Sequence, residues 1–286
     1  MKEIKILAIG DFHGKIPYFI KKVIKKEKPD LIISPGDFCP LYERKLIFKY
    51  SYGTDKPLWQ VIGKKKQKEF TKKNLRDGKK VIVYIGNLNI PAISVTGNID
   101  LTTYRDIGEI SSPRRRRLHK KDLITPLLKK HKIKVADYKL VNFENLYFVG
   151  YPRSSYYGIK PRMKDKLRLR LKDYRNQKKR IEKEIKKIDR KNFIFISHNV
   201  PYKTKLDLIR AKGAHKLAKG KHYGSYLTRK IIEKHKPLLC VAGHMHENQG
   251  QDKIGKTLII NPGAAKYGKY AMITIRDSKI RVKFKK

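Results

Sequence analysis

Residues 4–14 read IKILAIGDFHG, an apolar run that stops at Gly10 and is followed at once by Asp11 and His13. A run of this length is typical of a buried strand, and α/β proteins place their functional side chains at the carboxyl ends of such strands. Because alternate residues of an extended chain point to the same side, Asp11 and His13 can face one common ligand. The stretch therefore predicts a buried strand that delivers two polar side chains to a site.

The same pattern recurs four more times along the chain. The apolar runs are PDLIIS before Asp37, ISVT before Asn98, NFIFIS before His198 and PLLCVA before His244. A helix-like stretch, residues 17–27, lies between the first two runs, so the chain opens as strand, helix, strand. This order favours a parallel sheet whose strand ends converge.

After residue 130 the apolar segments become shorter and suggest further strands, some of them antiparallel. These segments are Lys139–Val141, Leu146–Val149, Thr257–Ile260, Ala271–Ile275 and Lys279–Lys283. The sequence shows no internal repeat and no low-complexity linker. We therefore expect a mixed α/β protein, with two packed mixed β-sheets flanked by helices, in a single domain over residues 1–286.

Composition narrows the class of protein. A chain of 286 residues, 40% of them hydrophobic, can bury a large core. The two cysteines, Cys39 and Cys240, allow neither a disulfide framework nor a cysteine-rich zinc site, and we expect both to be reduced and buried. Charged residues interrupt the first apolar run, and no later run reaches the roughly 18 apolar residues that suggest a membrane span. We expect a cytoplasmic protein without membrane association.

The charge of the chain is unusual. Lysine and arginine number 71 against 25 acidic residues, which gives a formal net charge of +46. A net charge of about 2 to 8 is enough to keep a small domain in solution. Heat adaptation is a poor explanation, since thermophilic ion-pair networks need acidic residues in comparable number. The charge predicts a polyanionic partner, either RNA or DNA.

Much of this charge lies in three predicted insertions, at about residues 41–80, 101–131 and 153–191. In the first we expect a helix that Pro57 starts and Gly78 ends, and the second contains the run Arg114–Arg117. The third predicts a long cationic helix, with apolar residues at Leu167, Leu171, Ile181, Ile185 and Ile188. Any one basic run can be a solvated face, but three in one chain favour a working surface. Nearby aromatic residues that can stack on exposed bases, or simply pack, are Tyr50, Tyr52, Tyr156 and Tyr157.

Seven residues at the predicted strand ends offer oxygen or nitrogen atoms to metal ions. They are Asp11, His13, Asp37, Asn98, His198, His244 and His246. Asp37 has two carboxylate oxygens and can bridge two cations, and His244 with His246 repeats the alternate spacing of the first pair. Mixed nitrogen and oxygen ligands without thiolates suit manganese, iron or zinc. The set predicts two divalent metal ions, whose identity stays open.

Taken in order, the blocks DFHG, GDF, GNID, SHNVP and GHMH resemble the signature of the calcineurin-like metallophosphoesterase superfamily. The resemblance spans Asp11 to His246 and implies a four-layer α-β-β-α sandwich. It also implies a division of the ligands: Asp11, His13 and His246 hold one metal, Asn98, His198 and His244 hold the other, and Asp37 bridges them. The stretch His222-Tyr223-Gly224-Ser225 further resembles small phosphodiesterases that act on nucleotides.

One position departs from this pattern. The family carries histidine after the asparagine of the third block, GNID, where it is expected to help protonate the leaving group, and here the residue is Ile99. Loss of a general acid typically costs about 10² to 10⁴ in rate. His222 is the candidate replacement, although a lone histidine is more often structural. The role of Asp100, which orients the missing histidine in the family, is open, and Arg153 is either a phosphate contact or a surface residue.

We therefore expect metal-dependent hydrolysis of phosphoester bonds by a metal-activated water, with Asp37, Asn98 and His222 as catalytic candidates and Arg153 as a substrate-binding candidate. The basic insertions favour phosphodiesters in nucleic acid or nucleotides as substrates. Two alternatives stay open. One is a small-substrate enzyme that acts on cyclic nucleotides or phosphomonoesters, and the other is a catalytically weak RNA-binding protein that keeps the fold.

Overall fold

The computed structural model describes residues 3–51, 56–104, 121–154, 164–188, 192–210 and 219–285. It confirms the predicted fold class: two mixed sheets of six strands pack face to face, and helices cover their outer faces. Alternate residues of the first strand show why this chain builds two layers. Ile4, Ile6 and Ala8 face the second sheet, whereas Leu7 packs towards the helices on the other side. Apolar residues on both faces, as in Ile6–Ala8, are what such a strand requires.

The first sheet has the strand order β12-β11-β1-β2-β3-β4. Its strands are β1 (Ile4–Ala8), β2 (Leu31–Ser34), β3 (Ala92–Ser94), β4 (Ile133–Val135), β11 (Tyr270–Arg276) and β12 (Lys279–Lys285). Strands β1 to β4 run parallel, and β11 and β12 close one edge in antiparallel fashion. The carboxyl ends of β1, β2 and β3 therefore meet at one edge of the sheet.

The second sheet has the order β5-β6-β7-β8-β10-β9. Its strands are β5 (Leu140–Phe143), β6 (Leu146–Tyr151), β7 (Phe193–Asn199), β8 (Leu239–Gly243), β9 (Gly250–Ile254) and β10 (Thr257–Asn261). The four central strands are parallel and the two edge strands antiparallel. Each predicted strand has a counterpart here or in the first sheet, but His198 lies within β7 rather than after it.

The helices in the described ranges cover both outer faces. They are α1 (Ile20–Glu27), α2 (Arg44–Tyr50), α3 (Leu58–Ile62), α4 (Lys64–Gly86), α5 (Thr125–Lys130), α6 (Lys164–Ile185) and α7 (Tyr226–His235). Helix α4 buries Val81 and Ile82 against the first sheet, and α6 buries Ile181 and Ile185 against the second. None of these helices combines the length and the apolarity needed to cross a bilayer.

One expectation about the basic helices was wrong. The predicted helix from Pro57 to Gly78 is two helices, because the chain breaks at Gly63, where φ is 82° and ψ is 152°. Helix α4 then continues through Gly78, which lies against Cys39: a Cβ added there would lie 2.5 Å from the Cys39 sulfur. The predicted long cationic helix is confirmed as α6, in which Ile181 and Ile185 are buried and Leu171 is 45% exposed.

The remaining sequence predictions concern the cysteines, residues outside the described ranges and the domain division. Both cysteines are free and buried, as predicted. The run Arg114–Arg117 and the aromatic residues Tyr52, Tyr156 and Tyr157 lie outside the described residues, as does the side chain of Leu167. The predicted division into one domain with three insertions stays a prediction.

Candidate metal centre

The carboxyl ends of five strands meet between the two sheets and bring the predicted ligands together. Oxygen and nitrogen atoms of Asp11, His13, Asp37 and His246 all lie within 4.8 Å of one another. A second group with the same spacing contains Asp37, His198 and His244. Asp37 belongs to both groups, so a single buried carboxylate connects them.

Asn98 joins the second group, because its Oδ1 lies 2.7 Å from Nε2 of His198. The seven residues selected from the sequence therefore converge on one site. Imidazole nitrogens within it face each other: Nε2 of His13 lies 2.9 Å from Nε2 of His246, and Nδ1 of His244 lies 3.2 Å from Nε2 of His198. Imidazole nitrogens this close together can bind a common cation through their lone pairs.

Burial sets the protonation of the imidazoles. Burial lowers the pKa of His13 and of His244 to about 3, and it also lowers the pKa of His198. A buried imidazole without a proton is the form that binds a metal ion. His13, His198 and His244 are therefore neutral near pH 7 and have lone pairs to offer.

The carboxylates are crowded. Burial raises the pKa of Asp37 well above its usual value, and the nearby Asp100 and Asp11 raise it further. Burial also acts to raise the pKa of Asp11, but His246 and the other imidazoles outweigh it and bring this pKa down to about 2. Ionised carboxylates that are buried together are costly without a compensating cation.

One oxygen of Asp11 tests directly whether this chain fits metal ions. Oδ2 accepts a hydrogen bond from the His244 backbone N–H at 3.0 Å. Oδ1 is buried and accepts no hydrogen bond, and its neighbour is Nε2 of His246 at 3.4 Å. A buried acceptor oxygen without a donor, next to an imidazole nitrogen, is the arrangement expected of an atom that binds a metal ion. The residues present therefore fit divalent cations.

The backbone at the centre is strained. Asp11, His13, Asp37 and His244 have φ values of 54°, 49°, 59° and 69°, in the left-handed region. Residues other than glycine adopt this region at a cost of about 1 to 2 kcal/mol, and such strain concentrates at functional sites. Backbone hydrogen bonds help to hold it: the N–H of Asp11 donates to the carbonyl of Gly36 at 2.9 Å, and that of His13 to Asp37 at 3.0 Å. No sequence signal foretold these conformations.

Glycines before the ligands make room for them. A Cβ added at Gly243 would lie 2.6 Å from Oδ2 of Asp11, and one added at Gly97 would overlap Oδ1 of Asp37. Any side chain at either position would displace a carboxylate of the centre. These two glycines are therefore part of the site although they carry no functional group.

The structure gives Asp100 a clear task. Its buried carboxylate accepts backbone hydrogen bonds from Asp37 at 3.1 Å, Cys39 at 2.9 Å and Gly97 at 2.8 Å. It therefore joins the loop that carries Asp37 to the loop that carries Asn98. Through this contact Asp100 positions ligands from two different strands, and it does so without the family histidine.

Asp137 is a supporting residue that the sequence analysis missed. It follows β4, and its carboxylate accepts hydrogen bonds from the N–H of Thr96 at 2.9 Å and from its hydroxyl at 2.7 Å. Burial raises the pKa of Asp137 to about 7. Thr96 lies two residues before Asn98, so Asp137 fixes the end of the strand that presents this ligand. A carboxylate directly after an apolar strand was the signal that could have revealed it.

Ile99 keeps a backbone role but cannot replace the histidine. Its N–H donates to Oδ1 of Asp37 at 3.2 Å, which helps to orient the shared carboxylate. Its side chain has no proton to give. The centre can therefore hold metal ions, but this position supplies no acid for a leaving group.

His222 lies outside both ligand groups and is fixed by a buried acid. Its Nδ1 is 2.7 Å from Oδ1 of Asp207, which is fully buried, and its side chain is 34% exposed. The surrounding loop is tied to the metal centre at two points. Nδ2 of Asn199, next to His198, donates to the carbonyl of Tyr223 at 3.0 Å, and Nδ2 of Asn248 donates to the carbonyl of Leu206 at 2.9 Å.

Arg153 is not a surface arginine. It follows β6, is only 5% exposed, and its Nη1 binds both carboxylate oxygens of Asp173 on α6, at 3.1 and 3.0 Å. The expectation of a surface residue was therefore wrong. Its buried ion pair fastens α6 to the end of β6, and a contact with substrate stays a prediction.

Comparison with known proteins is consistent with this geometry. Residues 167–284 match the model of a family described as metallophosphoesterase, calcineurin superfamily. An uncharacterized protein of Methanocaldococcus jannaschii is 39% identical over 82 residues, which is 28% of this chain and 35% of that protein. The chain thus matches only about a third of the length of this curated relative.

Solved structures show the same fold. One crystal structure has a TM-score of 0.65 and 18% sequence identity, with 99% of each chain covered. A dimetal phosphatase from Danio rerio has a TM-score of 0.52 and 10% identity, over 98% of this chain and 95% of that protein. At these identities the likeness concerns the fold alone.

Proposed function

We propose that this chain is a metallophosphoesterase that hydrolyses phosphodiester bonds with two divalent metal ions, and the match of residues 167–284 to the calcineurin-superfamily model supports this. One observation carries the proposal: Asp37 lies within ligand distance of two separate groups of metal-binding side chains. A shared carboxylate between two ligand groups is the arrangement that a two-metal site needs.

The two groups and the contact of Asn98 with His198 support an assignment of ligands. Asp11, His13 and His246 would hold one metal, Asn98, His198 and His244 would hold the other, and Asp37 would serve both. Manganese, iron and zinc all suit these nitrogen and oxygen ligands. Nδ1 of His198 lies 2.8 Å from the carbonyl oxygen of Pro35, a contact of the kind that fixes the orientation of metal-binding histidines.

When bound, two such cations supply positive charge for the phosphate oxygens and lower the pKa of a water that attacks phosphorus. The side chains of the protein position the ligands. Asp100 and Asp137 hold the loops that carry Asp37 and Asn98, and the imidazoles of His13, His198 and His244 are neutral, so no proton occupies the nitrogen that binds a metal. Ile99 gives no proton to the departing oxygen, so an alkoxide leaving group needs another donor.

His222 is that donor in our proposal. Its Nδ1 faces the buried carboxylate of Asp207, so Nε2 is the atom left to carry a proton to the leaving group. The two ties of the loop to Asn199 and Asn248 keep this imidazole at a fixed place relative to the centre.

The role of His222 can be measured through the leaving group. We expect His222→Gln to reduce hydrolysis of an alkyl phosphodiester by about 10² to 10³, because the alkoxide must be protonated. Hydrolysis of bis(p-nitrophenyl) phosphate, whose leaving group needs no acid, should change little. Equal losses on both substrates would contradict a role as proton donor.

Phosphodiesters of nucleic acid or nucleotides are the proposed substrates, and RNA or DNA the proposed partner, in the cytoplasm. The net charge of +46 supports this, as do the basic surfaces of α4 and α6. Two other functions remain as outcomes of the test. The small-phosphodiesterase pattern at residues 222–225 favours a cyclic nucleotide or a phosphomonoester, and Ile99 favours a weakly catalytic RNA-binding protein.

One assay separates these functions. The protein is incubated with Mn²⁺ and with single-stranded RNA, single-stranded DNA, a 2′,3′-cyclic nucleotide, an aryl phosphodiester or an aryl phosphomonoester, each beside Asp37→Ala. We expect cleavage of polynucleotide and of the aryl phosphodiester, both lost in the variant. Cleavage of the cyclic nucleotide or the phosphomonoester alone would reject the nucleic-acid substrate, and binding of RNA without cleavage of anything would reject the enzyme.

A further inference from the structure

A short 3₁₀ helix, Ala265–Tyr267, borders the metal centre. The N–H of Ala265 donates to the carbonyl of Gly10 at 2.8 Å, and the N–H of Lys266 lies 3.5 Å from the carbonyl oxygen of Asp11. This contact places Lys266 and Tyr267 beside the first metal group. Tyr267 is 64% exposed, and the ammonium of Lys266 lies 5.1 Å from the centre of its ring.

Helix α2 presents a matching pair. It buries none of its residues, Phe48 is 53% exposed, and the guanidinium of Arg44 lies 5.5 Å from the centre of the Phe48 ring. The helix is nevertheless held in place. The buried carboxylate of Glu43 accepts hydrogen bonds from Gln67 at 3.1 Å and from Asn74 at 2.9 Å, both on α4. Polar contacts therefore fix α2 while its aromatic side chain faces solvent.

The two pairs interact electrostatically. Burial lowers the pKa of Lys266, and the charges of Arg44 and Lys15 lower it further, whereas Asp11 and Asp37 act in the opposite direction. The ammonium of Lys266 therefore lies within electrostatic range of the carboxylates of the centre and of two other cations. We use the name strip for Phe48, Arg44, Lys266 and Tyr267, of which Lys266 lies beside Asp11.

We propose that this strip, together with Lys15, is a track for a single-stranded polynucleotide. Its three cations contact phosphates next to the scissile one, and Phe48 and Tyr267 stack with the bases. The inference rests on the proposed function, because it assumes that the phosphodiester held at Asp37 belongs to a longer strand. It places the nucleic-acid surface beside Asp11 and not on the basic faces of α4 and α6.

The chemistry of the strip favours this occupant over others. A duplex hides the faces of its bases, so aromatic side chains in solvent gain little from it. An anionic membrane would engage the cations as well, but it gives no reason for Lys266 to lie beside a centre that accepts a phosphodiester. A single strand uses the cations, the rings and the position of Lys266 together.

Binding can be tested without catalysis. A fluorescent 12-nucleotide RNA is titrated in the presence of EDTA, and its anisotropy gives Kd for wild type, Tyr267→Leu and Tyr267→Phe. We expect Tyr267→Leu to weaken binding about 5- to 100-fold, the range for one stacked base. Tyr267→Phe keeps the aromatic face and should bind like wild type. The same oligonucleotide as DNA, and as a duplex, completes the series.

The charges are tested by the salt dependence of the same titration. Lys266→Gln should reduce the slope of log Kd against log salt by about 0.7, as expected when one phosphate contact to a single strand is lost. Lys279→Gln, on the edge strand β12, is the matched control and should leave the affinity and the slope near their wild-type values.

Several results would overturn the track. Equal affinities of Tyr267→Leu and Tyr267→Phe would remove the stacking, and an equal effect of Lys279→Gln would show that only net charge matters. Tighter binding to anionic vesicles than to RNA, lost in Tyr267→Leu, would assign the strip to a membrane instead. Cleavage of the aryl phosphodiester with Mn²⁺ reports the proposed function separately, so failure of one leaves the other measurable.

Discussion

The two halves of the metal centre are built differently. The first half is formed by Asp11, His13 and His246 and the second by Asn98, His198 and His244, and each contains one fully buried ligand and two partly exposed ones. The halves differ in their surroundings. Lys266 lies beside Asp11 in the first half, whereas the buried carboxylates of Asp100 and Asp137 hold the chain before Asn98 in the second. We call them the basic half and the carboxylate-supported half.

The two halves differ in two tasks of the reaction, the binding of phosphate and the protonation of the leaving group. In the carboxylate-supported half, Asp100 and Asp137 hold the loops, and the position expected to supply a proton carries Ile99. In the basic half, the ammonium of Lys266 lies within electrostatic range of Asp11, Arg44 and Lys15. The proposed function thus assigns phosphate binding to the basic half, whereas the acid for the leaving group must come from elsewhere. Four predictions test this division.

Removal of the carboxylate shared by the halves should have the largest effect. We expect Asp37→Asn to lower metal-dependent hydrolysis of bis(p-nitrophenyl) phosphate by about 10³ or more, because neither half keeps its full ligand set. Asp30→Asn, before the same strand, is the matched control and should act like wild type. A residual rate within tenfold of wild type would show that the halves do not share Asp37.

Displacement of a ligand in the basic half should have a smaller effect. The Cβ of Gly243→Ala would lie 2.6 Å from Oδ2 of Asp11, and a displacement of about 1 Å can cost about 10² in rate. Gly255→Ala, far from the centre in sequence and with no atom within 4 Å of an added Cβ, is the control and should keep the wild-type rate even though its φ of 57° makes it the more strained substitution. Steady-state rates of both variants decide this. An unchanged rate for Gly243→Ala would mean that Asp11 is not held tightly.

Introduction of the family histidine at position 99, in the carboxylate-supported half, should increase activity. Ile99→His places an imidazole where the family carries one, and we expect about a tenfold gain on an alkyl phosphodiester, with little change on an aryl one. Ile99→Gln, which is polar but not an acid, should show no gain. The ratio of kcat/KM for the two substrates is the measurement. A gain that is equal for both substrates would point to binding and away from proton transfer.

The smallest expected effect is on the pH dependence of stability. It concerns Asp137, which holds the end of the strand before Asn98. The folded state keeps the proton of Asp137 up to about pH 7, whereas the unfolded chain releases it near 3.8. The folded state therefore binds more protons in this interval, and the free energy of unfolding falls as pH rises, by at most about 1.4 kcal/mol per pH unit. Asp137→Asn should flatten this slope between pH 4 and 7. Urea unfolding at several pH values measures it, and a slope equal to that of wild type would contradict the account.

The sequence predicted the fold and the convergence of the seven candidate ligands because both follow from a simple repeated pattern. Five apolar strands that each end in a polar residue must lie parallel and bury their sides, so their carboxyl ends converge. The structure places Asp11, Asp37 and Asn98 at three such ends of the first sheet and His198 and His244 at two of the second.

What the sequence could not show depends on contacts between distant segments. The left-handed backbone of His13 and the contact between Gly243 and Asp11 arise only after folding. The burial of Arg153 against Asp173 could not be foreseen either, because its partner lies 20 residues away in a basic helix. The strip beside Asp11 likewise joins α2 to residues more than 200 positions later.

The central claim is that Asp37 connects two metal ions. Crystals of the protein grown or soaked with Mn²⁺, measured at a wavelength where manganese scatters anomalously, would locate these ions directly. We expect two anomalous peaks, one beside Asp11, His13 and His246 and one beside Asn98, His198 and His244, with an oxygen of Asp37 next to each. A single peak, or two peaks that Asp37 does not touch, would contradict the account.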